Sequence, residues 1–175
     1  MRPPIILSHG AESGPDATKV SALARLAESL GWTTHRPDYR EDDTRGYAGS
    51  VAPRLARLEA MIRARPAPPV LVGSSMGAFV SGLASLAHPV AGLFLMATPG
   101  SIPGCEVHFD VSPGVSTVLI HGWRDELCPL DDMVAFAGRR RLPLLILDDD
   151  HRLSASVDAL AGQFRLFLDS LAGRA

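Results

Sequence analysis

At 175 residues and 46% hydrophobic content, the chain suits a single domain spanning 1–175 that buries roughly 70% of its unfolded surface. Its net charge of −2 carries no basic stripe, which argues against nucleic acid as a partner. Two cysteines, Cys105 and Cys128, are too few for a disulfide framework and lack metal-ligand spacing, and no apolar run suits a signal peptide or a membrane span, so a cytoplasmic location is expected.

In chain order, Pro4-Ile5-Ile6-Leu7 reads as a first strand running into the turn Ser8-His9-Gly10-Ala11. Val20, Leu23, Ala27 and Leu30 then mark one face of a helix from about Asp16 to Leu30, closed by Gly31. Thr33 to Pro37 reads as an edge-like strand, because Pro37 has no N–H to give to a central ladder. Val51, Leu55, Leu58 and Ile62 form a second helical stripe, stopped by Pro66 and Pro68. Val70-Leu71-Val72 leads into Gly73-Ser74-Ser75-Met76-Gly77, and a small-residue helix from Ala78 to Ala87 follows. A strand from Ala91 to Met96 comes next, and the stretch from Thr98 to Ser116 is short and rich in Pro and Gly. The strand Thr117 to Ile120 ends in His121-Gly122-Trp123-Arg124-Asp125, with a helix near Leu130 to Gly138 and Arg139-Arg140-Arg141 closing it, where cations favour the dipole. The strand Leu142 to Leu147 ends in Asp148-Asp149-Asp150-His151, and Val157, Leu160, Phe164, Phe167 and Leu171 make the last stripe. Six apolar strands separated by helices predict an α/β fold: a three-layer α/β/α sandwich on a six-stranded, mainly parallel sheet.

A strand, a sharp turn and a helix around a central serine is the construction of a nucleophile elbow, which lifts Ser75 above the sheet between glycines that allow close backbone approach. Serine is a poor nucleophile until a base within hydrogen-bond reach takes its proton. His151 is the expected base, and Asp125 the acid that fixes its tautomer and stabilises the imidazolium. Both lie beyond strand ends, and in a parallel sheet such loops leave from one edge, so the three can converge. The expected oxyanion-hole donors are the amide of Met76, the residue after the serine, and that of Ala11 in the turn after the first strand.

His9-Gly10, the Gly73 to Gly77 elbow, His121-Gly122-Trp123-Arg124-Asp125 with Pro129, and His151 together resemble the α/β-hydrolases. The resemblance is to the small lidless sort represented by the YqiA-like esterases and the retinoblastoma-binding-protein-like serine hydrolases, and it covers nearly the whole chain. It implies Ser75 as nucleophile, Asp125 as acid and His151 as base, a strand order 2-1-3-4-5-6, and no cap domain in the short Thr98 to Ser116 connection. Family members often carry a glycine just before the histidine; here Asp148-Asp149-Asp150 stands there, read as a polar turn, and any of the three touching His151 would favour its charged form.

The expected activity is that of a carboxylesterase on small or carrier-borne acyl esters, without metal or organic cofactor and without a membrane partner. A thioesterase or amidase would use the same residues, and a binding module that kept the scaffold without turnover is the rival from another class. The turn after the first strand lacks the G-x-G-x-x-G spacing of a dinucleotide site. Trp123, Leu127 and Phe109 are candidates for a pocket wall or for ordinary packing. His9 and His121 are expected to be hydrogen-bonded structural groups, Ser74 to pack, and His35, His88 and His108 to be solvated or capping.

Overall fold

Strands covered on both faces read as unbroken apolar runs because successive side chains go to opposite layers. The computed structural model describes residues 2–173; Met1, Arg174 and Ala175, the ends of the expected 1–175 domain, lie outside the described residues. β1 (Ile5–Ser8), β2 (Thr34–His35), β3 (Val70–Ser74), β4 (Gly92–Met96), β5 (Thr117–Arg124) and β6 (Leu144–Asp150) form one sheet ordered β2-β1-β3-β4-β5-β6. All five pairings are parallel.

Ile5 and Leu7 of β1 face one layer and Ile6 the other. On the first face α1 (Thr18–Ser29) and α6 (Val157–Ala172) bring Val20, Leu23, Leu160, Phe164 and Leu168 against Val72, Phe94 and Ile120. On the second, α3 (Gly46–Arg63), α4 (Met76–Ala87) and α5 (Leu130–Arg140) cover Leu71, Leu93, Leu95 and Leu119. The result is the expected three-layer sandwich.

Several boundaries differ from the sequence reading. A one-turn helix, α2 (Arg40–Asp43), precedes α3, and α3 begins at Gly46 with Pro53 inside it. The three aspartates are not a turn: β5 runs on to Arg124 through an irregularity between Gly122 and Arg124, and β6 follows it, pairing Asp150 with Arg124. Ladder bonds extend the strand past the point where its apolar pattern stops. Residues 97–116 contain no helix or strand, and no cap domain stands over the sheet among the described residues. Phe109 from this stretch is buried, its ring centroid 6.1 Å from that of Phe79 and 4.8 Å from that of Phe136. It packs in the core and forms no pocket wall.

Candidate active site

Ser75 occupies the single residue between β3 and α4, with φ 55° and ψ −119°. That left-handed backbone costs a non-glycine residue on the order of 1–3 kcal/mol, and the surroundings hold it there. The Ser75 amide donates to the Met96 carbonyl of β4 at 2.9 Å, while its own carbonyl accepts the Ala78 and Phe79 amides at 2.9 and 3.0 Å. The glycines are required by contact: a Cβ on Gly73 would sit 2.5 Å from the Ala78 Cα, and one on Gly77 would sit 2.7 Å from the His9 oxygen. The neighbouring Ser74 is 5% exposed and belongs to β3.

The loops at the carboxyl ends of β3, β5 and β6 bring Ser75, Asp125 and His151 together. His151 Nε2 lies 3.0 Å from Ser75 Oγ, and its Nδ1 lies 2.8 Å from Asp125 Oδ2 and 3.0 Å from Oδ1. Asp125 is 8% exposed, and its Oδ1 accepts the Leu127 and Cys128 amides at 3.0 and 2.8 Å. A second histidine reaches it: His121 Nε2 is 2.8 Å from the Cys128 carbonyl and 3.2 Å from Asp125 Oδ2. Burial opposes the charge on Asp125, but hydrogen bonds from His121, His151 and the Cys128 amide outweigh it and hold the carboxyl well below the usual carboxylate range. This carboxylate is ionised throughout the neutral range.

The aspartates ahead of His151 are engaged elsewhere. Asp148 pairs with Arg124, Asp149 Oδ1 accepts the Asp150 amide at 2.8 Å, and Asp150 Oδ1 accepts the Arg152 amide at 2.8 Å. His9 is fully buried, and its Nε2 accepts the Tyr39 amide at 3.0 Å, a structural role as expected. Of the expected wall residues beside Asp125, Trp123 and Leu127 are 61% and 74% exposed, so neither is packed in the core. Gly10 packs on the elbow, since a Cβ there would meet the Ser75 Cβ at 3.4 Å and the Ser74 carbonyl at 3.5 Å. Met76 opens α4, where a first-turn amide has no intrahelical acceptor.

Sulfur, nitrogen and oxygen atoms of Cys128, His151 and Asp125 lie within 4.8 Å of one another, a grouping that could ligate a metal ion. A metal-bound cysteine must be a thiolate. Burial, reinforced by Asp125 and Asp132, pushes the Cys128 thiol up to about 12, and a cation held by Asp125 and His151 would compete with the contact between those two side chains.

Lys19 escaped the sequence reading. Its ammonium donates to the His151 carbonyl oxygen at 3.3 Å, and burial lowers its pKa to about 8, with Asp125, Asp149 and Asp150 pulling it back upward. Between pH 8 and 10.5 the unfolded chain holds a proton that the folded chain has released, so Lys19 makes stability rise with pH across that window. Urea midpoints measured from pH 7 to 10 should climb more steeply for the wild type than for Lys19→Met. Parallel curves would mean that burial of Lys19 carries no such cost.

No family model matches the chain, and no curated protein does. Solved structures do. A protein of the α/β superfamily of hydrolases from Xanthomonas campestris pv. campestris, so classed without a demonstrated activity, is 44% identical, with 97% of this chain aligned to 99% of that one at a TM-score of 0.92. Est1E from Butyrivibrio proteoclasticus is 16% identical, covering 98% of this chain and 88% of its own, with a TM-score of 0.76. An α/β serine hydrolase without lid from Xanthomonas campestris is 19% identical over 94% of this chain and 81% of its own, with a TM-score of 0.70. The latter two share the fold.

Proposed function

Since the chain belongs to the α/β-hydrolase superfamily, we propose that it is a serine hydrolase, a carboxylesterase that cleaves small or exposed acyl esters through an acyl-enzyme on Ser75. The observation that carries this reading is the unbroken chain of contacts from Ser75 Oγ through His151 to Asp125, at 3.0 and 2.8 Å.

In the proposed reaction His151 Nε2 takes the Ser75 hydroxyl proton as Oγ attacks the ester carbonyl carbon. Asp125 holds Nδ1–H and so keeps Nε2 free to accept. The tetrahedral oxyanion faces the amides of Met76 and Ala11, whose fixed dipoles need no rearrangement as charge develops. The carbon–oxygen bond to the alcohol then breaks, His151 gives its proton to the departing oxygen, and Ser75 is left acylated. A water molecule, deprotonated by His151, attacks the acyl carbon, and collapse returns the proton to Ser75 and releases the acid. The two thiols, Cys105 and Cys128, are unpaired, which accords with a cytoplasmic setting.

The uncapped sheet supports a preference for short acyl groups. A buried methylene is worth about 0.8 kcal/mol, but one left in water gains nothing. A cleft of about 460 Å³ beside the turn after β1 is lined by charged and small residues, Glu12, Ser13, Pro15, Ala17, Arg40 and Asp43 among them, with no large apolar side chain to cover a long alkyl tail. Across soluble p-nitrophenyl esters, kcat/KM is expected to fall once the acyl chain exceeds a few carbons, with no surge at a lipid interface. A steady rise through long acyl groups would overturn the preference, and a wild-type protein that neither turns over the esters nor takes up a fluorophosphonate would overturn the activity itself.

A further inference from the structure

Arg54 lies in the apolar stripe of α3 between Val51 and Leu58, and its side chain is wholly buried. A charge at that depth must be paired. Nε and Nη2 donate to Asp43 Oδ1 and Oδ2 at 2.6 Å each, and the guanidinium sits 4.6 Å from the Tyr39 ring centroid. Such a buried pair is no stability device in itself, because apolar residues of similar volume often serve as well. What apolar residues could not do is donate, and Arg54 has donors to spare. Nη1 reaches the His9 carbonyl at 2.8 Å, and Nη2 reaches the Gly10 carbonyl at 3.0 Å.

These carbonyls belong to the turn after β1. We propose that Arg54 is a positioning residue, which aims and polarises the Ala11 amide as an oxyanion donor by gripping the carbonyl at the other end of the same peptide; this rests on the serine-hydrolase reading above. A trans peptide sets its C=O and N–H on opposite sides, and no cis bond occurs among the described residues. Fixing the Gly10 oxygen on the α3 side therefore turns the Ala11 N–H to the other side.

The grip on Gly10 is threefold. Because His9 Nε2 accepts the Tyr39 amide, its Nδ1 carries the hydrogen and donates to the Gly10 oxygen at 2.7 Å. Ser13 Oγ donates to the same oxygen at 3.0 Å. Together with Arg54, three donors draw electron density toward one carbonyl and make the N–H beyond it a stronger donor.

Three variants test this: Arg54→Lys, Arg54→Met paired with Asp43→Leu to avoid stranding a carboxylate, and Ser13→Ala. Each is assayed with p-nitrophenyl acetate, with sites counted by fluorophosphonate titration to remove any unfolded fraction, and each is examined by the amide resonance of Ala11. Losing an oxyanion donor outright costs about 10²–10³ in kcat, so weakening one should lower kcat by about 10- to 100-fold in the double variant and by about 2- to 5-fold in Ser13→Ala, with KM within about two-fold of wild type. Arg54→Lys, keeping one charged donor, should lie between wild type and the double variant. Affinity for a trifluoromethyl ketone, which forms the oxyanion, should fall with kcat, and the Ala11 resonance should move in all three. An unmoved Ala11 resonance, or kcat per titrated site at the wild-type level, overturns the proposal. If the Arg54 variants fail to fold, Ser13→Ala decides on the same two readouts. If the wild type hydrolyses nothing, the hydrolase reading has failed, and the Ala11 resonance alone judges the role of Arg54.

Discussion

Ser75→Ala is expected to abolish fluorophosphonate labelling and to reduce ester hydrolysis by at least about 10⁴-fold, because the relay acts as a unit and only binding and the oxyanion hole remain. The protein should stay folded. Alanine inherits the same positive φ at the elbow and removes one hydroxyl, whose contact in the structure is with His151 at 3.0 Å. Peptide mapping of the wild-type adduct should place it on Ser75. An adduct on Ser74, buried in β3 one residue earlier, or a Ser75→Ala protein that keeps its turnover, would remove the nucleophile from the scheme.

Asp125→Asn should lower kcat/KM by about 10⁴-fold, the size of effect such a change has where a carboxylate fixes a histidine tautomer. The carboxylate accepts from His151, His121 and the Leu127 and Cys128 amides with two oxygens. Asparagine has one oxygen and an NH2 that faces donors. If its oxygen stays on the two amides, its NH2 meets His151 Nδ1, which must give up its hydrogen, and Nε2 then carries one and can no longer accept from Ser75. The same substitution should destabilise the fold with a characteristic pH dependence. A carboxyl whose folded pKa is depressed contributes stability that is present above its unfolded value, about 3.9, and lost as pH falls through the folded one. The gap in Tm between wild type and Asp125→Asn should be full at pH 6 and narrow below about pH 4. A gap independent of pH would mean that the charge of Asp125 is not what the surrounding donors stabilise, and turnover within ten-fold of wild type would free His151 from it.

Five of the six strands were legible because each is a short apolar run bounded by turn residues, β2 being only Thr34–His35, and the Ser75, Asp125 and His151 positions because each lies within a few residues of the end of such a run. Arg54 was not, although it interrupts the Val51, Leu55, Leu58 stripe with a charge. Its reason lies in Asp43, eleven residues away in sequence and brought close by the α2–α3 corner. That corner was itself hidden, since Arg40 to Asp43 is too polar and short to read as a helix, and α3 begins at Gly46, ahead of the Val51 at which its apolar stripe starts. Phe109 could be read either as wall or as core. Gly82 settles its place, because any side chain there would strike the ring that now packs over it. Asp148 to Asp150 looked like a turn because hydrophobic pattern reports side-chain burial and is blind to backbone pairing with β5.

Those aspartates bear on a matter apart from catalysis. Among the described residues β6 has a neighbour on one side only, and an unpaired strand edge is a template on which another chain can add. At the far side of the sheet β2 is two residues long and Pro37 follows it, so little ladder is offered there. β6 runs for seven residues and is the longer exposed edge. Two of its last three positions, Asp148 and Asp150, expose carboxylates, and a second copy laid alongside in parallel register would bring like charges together. The residues that stand where relatives often have glycine thus discourage these sheets from joining edge to edge at neutral pH, and acid would weaken that protection.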